Sequence, residues 1–291
     1  MKKWKIWILM LNILLVAMIP AGLTETATPV PAANGATLPE QAATPAPAQG
    51  QESAWINTDP WGMMTLPPLA TVEPGILSGF VIGIDPGHQA HGNSEREAVA
   101  PGSSEMKAKV SSGTQGVSTR VPEHEVNLTV SLKLRDALTG LGATVYMTRE
   151  TADVDISNQE RALMMNAHAC DLVLRLHCNG STDSSVTGIG TYVRATGEGA
   201  EESARAAEYV LDAMCEATGA RRDGLFRRDT YTGLNWSTVP CVLVEMGFMS
   251  NPEEDQLLND PEYQEMLITG RVEGVISYAM EVQRQQENDA G

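Results

Sequence analysis

Polar and apolar positions along the chain become regular from about residue 80. Phe80 to Ile84 (FVIGI) is a short apolar run that stops at Asp85-Pro86-Gly87-His88. A run of that length without alternation fits a strand buried on both faces. Pro122 to Leu141 has helical spacing, with Pro in its first turn and Gly142 after its end. Ala143 to Thr148 predicts a second strand. Ser157 predicts an N-cap for a helix reaching His168, and Glu160, three residues on, completes a capping box. Asp171 to His177 (DLVLRLH) predicts a third strand and Gly190 to Arg194 a fourth. Glu201 to Thr218 predicts a long helix, and Cys241 to Glu245 another strand. Pro252 to Leu258 predicts an acidic helical turn, and Pro261 to about Gln286 a terminal helix, leaving 287–291 as a tail. Strands alternating with helices predict a single α/β domain, a mostly parallel twisted sheet flanked by helices. In such sheets, sites collect at the carboxyl ends of the strands.

Three polar residues fall at those ends: His88 after the first strand, His177 at the end of the third, and Glu245 at the end of CVLVE. A fourth emerges from helix geometry. With Glu123 at zero and about 100° per residue, Val126, Val130, Leu134, Ala137, Leu138 and Leu141 all fall within about 60° of it. Glu123 therefore sits on the core-facing stripe, whereas Glu125 falls near 200°, on the far side, and His124 at the flank. A carboxylate on a core face must be paired, protonated or bound to a metal. Two His and a Glu make a zinc set of the hydrolytic kind, and a further Glu nearby can move protons. The alternative for Glu245 is a plain ion pair with an arginine such as Arg175. HExxH and the GxxxxGK[ST] phosphate loop are both absent. A Cys178 nucleophile beside His177 is unattractive, because strand neighbours point to opposite faces.

Composition narrows the setting. The 291 residues are 42% hydrophobic, enough for a full core, and the formal net charge is -17. That charge argues against nucleic acid, whose binding needs Lys and Arg to displace counterions. Lys2, Lys3 and Lys5 precede an apolar Ile6 to Ile19, interrupted by Asn12. This is a signal peptide or signal anchor over residues 1–23, and it predicts export to the cell envelope or beyond. It is also the expected contact with a membrane. Residues 24–78, rich in Ala, Thr and Pro, predict a disordered linker, interrupted by Trp55 and Trp61. The four cysteines, Cys170, Cys178, Cys215 and Cys241, lie in apolar or mixed stretches, where free buried thiols are the default.

The motifs VIGIDPGH, PEHEVNL, TRE (Thr148 to Glu150), LRLHCN and PCVLVEMGFMSN resemble, in order and spacing, the amidase-3 family of N-acetylmuramoyl-L-alanine amidases. The resemblance covers about residues 79–283, and the proposed catalytic domain is 79–286. It implies one zinc per chain held by His88, Glu123 and His177, with Glu245 as catalytic base. It also implies peptidoglycan as substrate, cut between N-acetylmuramic acid and L-alanine. A monomer is expected. A non-catalytic wall-binding module and a zinc peptidase of the stem peptide are the alternatives. There are departures from the family pattern. Gln89 to Val121 is a longer polar insertion, either a lid that shapes the substrate groove or a floppy surface loop. Cys178 stands where a small residue such as Ala is usual, and Asn235 where many members have Arg.

Overall fold

The structure, a computed structural model, describes residues 72–290. The signal segment, Trp55 and Trp61 lie outside these residues, as does the linker up to residue 71. The end of that linker belongs to the folded unit instead: Leu77 is fully buried in the main core, and its N–H donates to Leu141 O at 3.0 Å. Among the described residues no helix is long and apolar enough to cross a membrane.

The elements run β1 (Val81–Pro86), β2 (Asn93–Ala98), β3 (Met106–Val110), α1 (Glu123–Gly140), β4 (Thr144–Met147), α2 (Asn158–Ala167) and β5 (Leu172–Asn179). They continue through β6 (Ile189–Val193), α3 (Ala200–Thr218), β7 (Arg222–Arg227), α4 (Thr232–Asn235), β8 (Cys241–Phe248), α5 (Pro252–Leu258) and α6 (Pro261–Ala290). Six strands form one sheet in the order β4-β1-β5-β8-β6-β7, with neighbours parallel except β6 against β8. The α/β expectation therefore holds. Val126, Val130, Leu134 and Leu138 of α1 pack with Ile82, Leu174 and Val242 in the main core, which also takes in α3 and α6. The other face carries a smaller apolar cluster around Met165, Val173, Leu234 and Leu243. Because one core is large and the other small, polar groups have room on that second face.

Several elements differ from the expectation. Gln89 to Val121 is not a floppy loop, since β2 and β3 pair antiparallel within it. MKAKV alternates over only five residues in a polar stretch, while NSEREA lacks the apolar alternation that marks a strand. The edge strand β7, RDGLFR, is missed for the same reason. Strands β5 and β8 extend past His177 and Glu245 to Asn179 and Phe248, with a register shift between His177 and Asn179. Both residues thus lie inside the strands. Helix α6 continues past Gln286 through Ala290, because no Pro or Gly lies between Gln286 and Gly291. The four cysteines are free, and Cys170, Cys178 and Cys241 are buried. Ser157 and Glu160 form the expected capping box on α2.

One buried polar cluster joins these elements beneath the strand ends. Asp85, 1% exposed, pairs in register with Arg175 across β1 and β5. Its Oδ2 lies 3.1 Å from Arg175 Nη1, and its Oδ1 accepts from Arg161 Nη1 at 2.8 Å and Thr148 Oγ1 at 2.5 Å. Burial alone would raise the Asp85 pKa, but Arg175 and Arg161, with Thr148, outweigh it and hold the carboxyl well below the usual range. A depressed folded pKa stabilises the fold above the unfolded value of about 3.9 and loses that contribution as pH falls through the folded value. Asp85→Asn leaves two buried guanidinia facing a neutral amide. It should cost about 3–5 kcal/mol in denaturant unfolding at neutral pH, the range for breaking a buried pair. The deficit should shrink as the pH is lowered into the acid range. A loss below about 1 kcal/mol would assign the fold's stability elsewhere.

Candidate metal centre

The turn after β1 presents His88 from a left-handed backbone, φ 61°, which is uncommon outside glycine. Two arginines hold it there. Arg149 donates to Pro86 O, Gly87 O and His124 O, and Arg161 donates to Pro86 O and His88 O. Arg149 thereby ties this turn to the first turn of α1, the source of Glu123. The third residue, His177, arrives on β5, one strand over from β1.

Three atoms from these residues form a nearly equilateral triangle. His88 Nε2 lies 3.1 Å from Glu123 Oε1, and His177 Nδ1 lies 3.2 Å from each. Tetrahedral zinc with ligands at about 2.0–2.1 Å sets neighbouring ligand atoms about 3.3 Å apart, so the triangle has the right size. Protonation supports the same fit. His88 Nδ1 lies 2.9 Å from Ser111 O, an acceptor only, so Nδ1 carries a hydrogen. With a hydrogen on Nδ1, Nε2 is the ring nitrogen left for a metal, and the Ser111 contact is the usual outer support of a metal-binding histidine.

Glu123 is 3% exposed, as the helical geometry requires, whereas Glu125 is exposed. Its Oε1 accepts from Cys178 N at 3.0 Å and Asn127 Nδ2 at 3.3 Å, and its Oε2 from Thr114 N at 2.8 Å. Burial alone would raise its pKa, yet hydrogen bonds from His177 and His88 carry it well below the usual range. Burial lowers His177 to about 4, offset in part by Glu123, so the ring is neutral at pH 7 and available as a ligand. His124 is buried but stands outside the triangle, with its ring 4.0 Å from Glu125.

Glu245 pairs in register with His177 across β5 and β8 and lines the same cavity. It makes no ion pair with Arg175, which faces Asp85 instead. Its Oε2 is buried without a hydrogen-bond partner, as is His177 Nε2. Burial, with the Glu123 charge, pushes the Glu245 pKa well above the usual range. The cavity, about 980 Å³, runs from these residues to the β2–β3 hairpin and the turn at Tyr231. Sequence reasoning missed Ser111, Gly113 and Thr114, which back the triangle, because a Ser- and Gly-bearing loop has no periodicity. Asn235, where many family members carry arginine, is buried and donates to Val99 O and Asp229 O, so it anchors the insertion.

Gly113 has φ 81°, and a Cβ there would sit 2.8 Å from Glu123 Oε2 and 2.9 Å from the His88 ring. Gly113→Ala should therefore weaken zinc binding by about tenfold or more, the scale of outer-support losses, in a chelator-competition titration. Unchanged affinity would mean that this loop does not shape the triangle.

Comparison with known proteins identifies the family. The sequence model of the Amidase_3 family, N-acetylmuramoyl-L-alanine amidase, matches residues 82–277. The chain is 30% identical over 222 residues to N-acetylmuramoyl-L-alanine amidase Rv3717 of Mycobacterium tuberculosis, covering 72% of this chain and 90% of that protein. It is 27% identical to the germination-specific N-acetylmuramoyl-L-alanine amidase of Bacillus subtilis, covering 77% and 86%. Among solved structures, the amidase Ami1 of Mycobacterium smegmatis superposes with a TM-score of 0.64 at 25% identity, over 69% of this chain and 97% of that one. With the family match spanning the strands, helices and candidate metal residues, this chain belongs to the Amidase_3 family of N-acetylmuramoyl-L-alanine amidases.

Proposed function

We propose that the protein is an exported, monomeric, zinc-dependent amidase that hydrolyses the bond between N-acetylmuramic acid and L-alanine in peptidoglycan. The observation that carries the zinc reading is the triangle of His88 Nε2, Glu123 Oε1 and His177 Nδ1, with Glu245 on the neighbouring strand. The substrate reading rests on the family and on relatives named for this activity. Export rests on the N-terminal pattern of Lys2, Lys3 and Lys5 before Ile6 to Ile19, with residues 24–71 as tether.

In this reading His88, Glu123 and His177 hold one zinc ion. Bound there, zinc supplies Lewis acidity towards the amide carbonyl and the attacking water. Glu245 accepts a proton from the water as oxygen adds to the carbonyl carbon, then delivers it to the departing nitrogen. The delivery matters because the L-alanine amine is a poor leaving group as an anion. A buried carboxyl whose pKa is lifted by its surroundings suits a group that must both take and return a proton. The arginine contacts on Pro86 O, Gly87 O and His88 O keep the His88 ring aimed while this happens.

Metal analysis of the purified protein should give about one zinc per chain. Digestion of purified wall should release a new amine on L-alanine and a new lactyl carboxylate on the sugar. New ends within the stem peptide would instead make it a peptidase. Glu245→Gln keeps shape and removes the proton acceptor. It should leave zinc content near wild type while turnover falls by roughly 10²-fold or more. Loss of zinc in that variant would make Glu245 a ligand, and full activity would assign proton transfer to another residue.

A further inference from the structure

The cavity floor is one face of two adjacent strands. Parallel pairing sets Arg175 beside Leu243 and His177 beside Glu245, and residues two apart on a strand share a face. All four line the cavity. The floor therefore has two rows about 7 Å apart, one with the candidate metal residue and base, the other with a buried guanidinium.

Charge in the second row is not balanced. Asp85 is one carboxylate between two guanidinia, Arg161 and Arg175, so the trio carries one net positive charge. Arg161 already meets Asp85 Oδ1 at 2.8 Å and turns its other donors to Ile156 O, Pro86 O, His88 O and Gln89 Oε1. Arg175 reaches Asp85 only as a 3.1 Å charge contact, because Oδ2 gains no hydrogen bond from it. One donor of Arg175 goes to Asn158 Oδ1 at 2.9 Å. Of the two guanidinia, Arg175 is the one that lines the cavity.

A second cation is brought to the same place. Lys107 on β3 donates its ammonium to Thr230 O at 2.6 Å. Three residues on, the same turn presses Gly233 against Arg175, so closely that a Cβ on Gly233 would collide with Nη1. One short turn thus holds an ammonium at one end and a guanidinium at the other, and both line the cavity. Arg96 adds a third cation to the lining. In a chain of net charge -17, three cations along one cavity are not a sample of the surface.

We infer that Arg175 and Lys107 form a carboxylate-binding subsite for the peptide side of the substrate. A planar guanidinium matches a carboxylate, and an ammonium adds charge without demanding geometry. The two-row spacing of about 7 Å equals two residues of extended peptide, which puts the carboxylate on the residue after L-alanine. The subsite rests on the amidase reading for its substrate. It makes Arg175 and Lys107 specificity residues, distinct from the zinc and proton-transfer groups.

The test uses two soluble N-acetylmuramoyl-L-alanyl peptides that differ only in a free α-carboxylate or a carboxamide on the residue after L-alanine. The full protein should prefer the carboxylate by about tenfold or more in kcat/KM, the scale of a hydrogen bond to a charged group. Arg175→Gln should bring the ratio close to one, and Lys107→Gln should lower it. Lys107 is half-buried on the hairpin, outside both cores, so its variant decides the matter if Arg175→Gln fails to fold. A wild-type ratio near one overturns the subsite. So does a ratio that survives both substitutions while the two rates fall together, the pattern of a purely structural Arg175. If neither peptide is cut, the amidase reading fails, and calorimetric Kd values for the same two peptides judge the subsite separately. Tighter binding of the carboxylate, weakened in Lys107→Gln, then supports it, and equal Kd values overturn it.

Discussion

Two imidazole nitrogens and a carboxylate oxygen are held about 3.2 Å apart, and bringing them to that spacing is the constraint that the strands, the first helix and the turn after β1 jointly meet. No element of the sheet brings them together unaided. Glu123 is drawn in because α1 presents its apolar stripe to the main core. His177 is carried on a strand buried along most of its length. His88 is turned inward by its own left-handed backbone, which two arginines keep in place. Packing of the large core thus supplies the force, and the hydrogen bonds of His88 to Ser111 O and of Thr114 N and Cys178 N to Glu123 supply the aim. A divalent cation bound at the centre would couple metal binding to the stability of these three elements.

The two faces of the sheet divide this labour. One face, against α1, α3 and α6, is apolar and deep. The other is shallow and carries Asp85, Arg161 and Arg175 under the strand ends. Those charges could not lie on the deep face without loss of packing. On the shallow face they brace the turn after β1 and leave an excess of positive charge next to the cavity. The hairpin β2–β3 closes that side, with Glu97 accepting from Gln159 N on α2 and Trp236 Nε1 donating to Ala98 O. The long insertion is therefore a wall of the cavity, tied through β2 to α2 and to the end of α4.

Much of this was legible in the sequence because burial leaves periodic traces. FVIGI, DLVLRLH and CVLVE mark strands by short apolar runs, interrupted in the second by Arg175, and the α1 stripe separates Glu123 from Glu125 by rotation alone. The charged strands β2, β3 and β7 leave no such trace, since what holds them is edge pairing and side-chain contacts to distant elements. The same applies to Asp85. DPGH identifies the turn, but nothing local announces that Arg161 and Arg175 converge on it from 76 and 90 residues away. The reach of β5 to Asn179 and of β8 to Phe248 was also hidden, because polar residues at strand ends look like loop.

The central claim is that one metal ion sits among His88, Glu123 and His177. Anomalous diffraction on either side of the zinc absorption edge, from crystals of the purified protein, tests it most directly. A single strong zinc peak is expected inside the triangle of His88 Nε2, Glu123 Oε1 and His177 Nδ1. A zinc peak on other residues, with this triangle vacant in the same crystals, would contradict it.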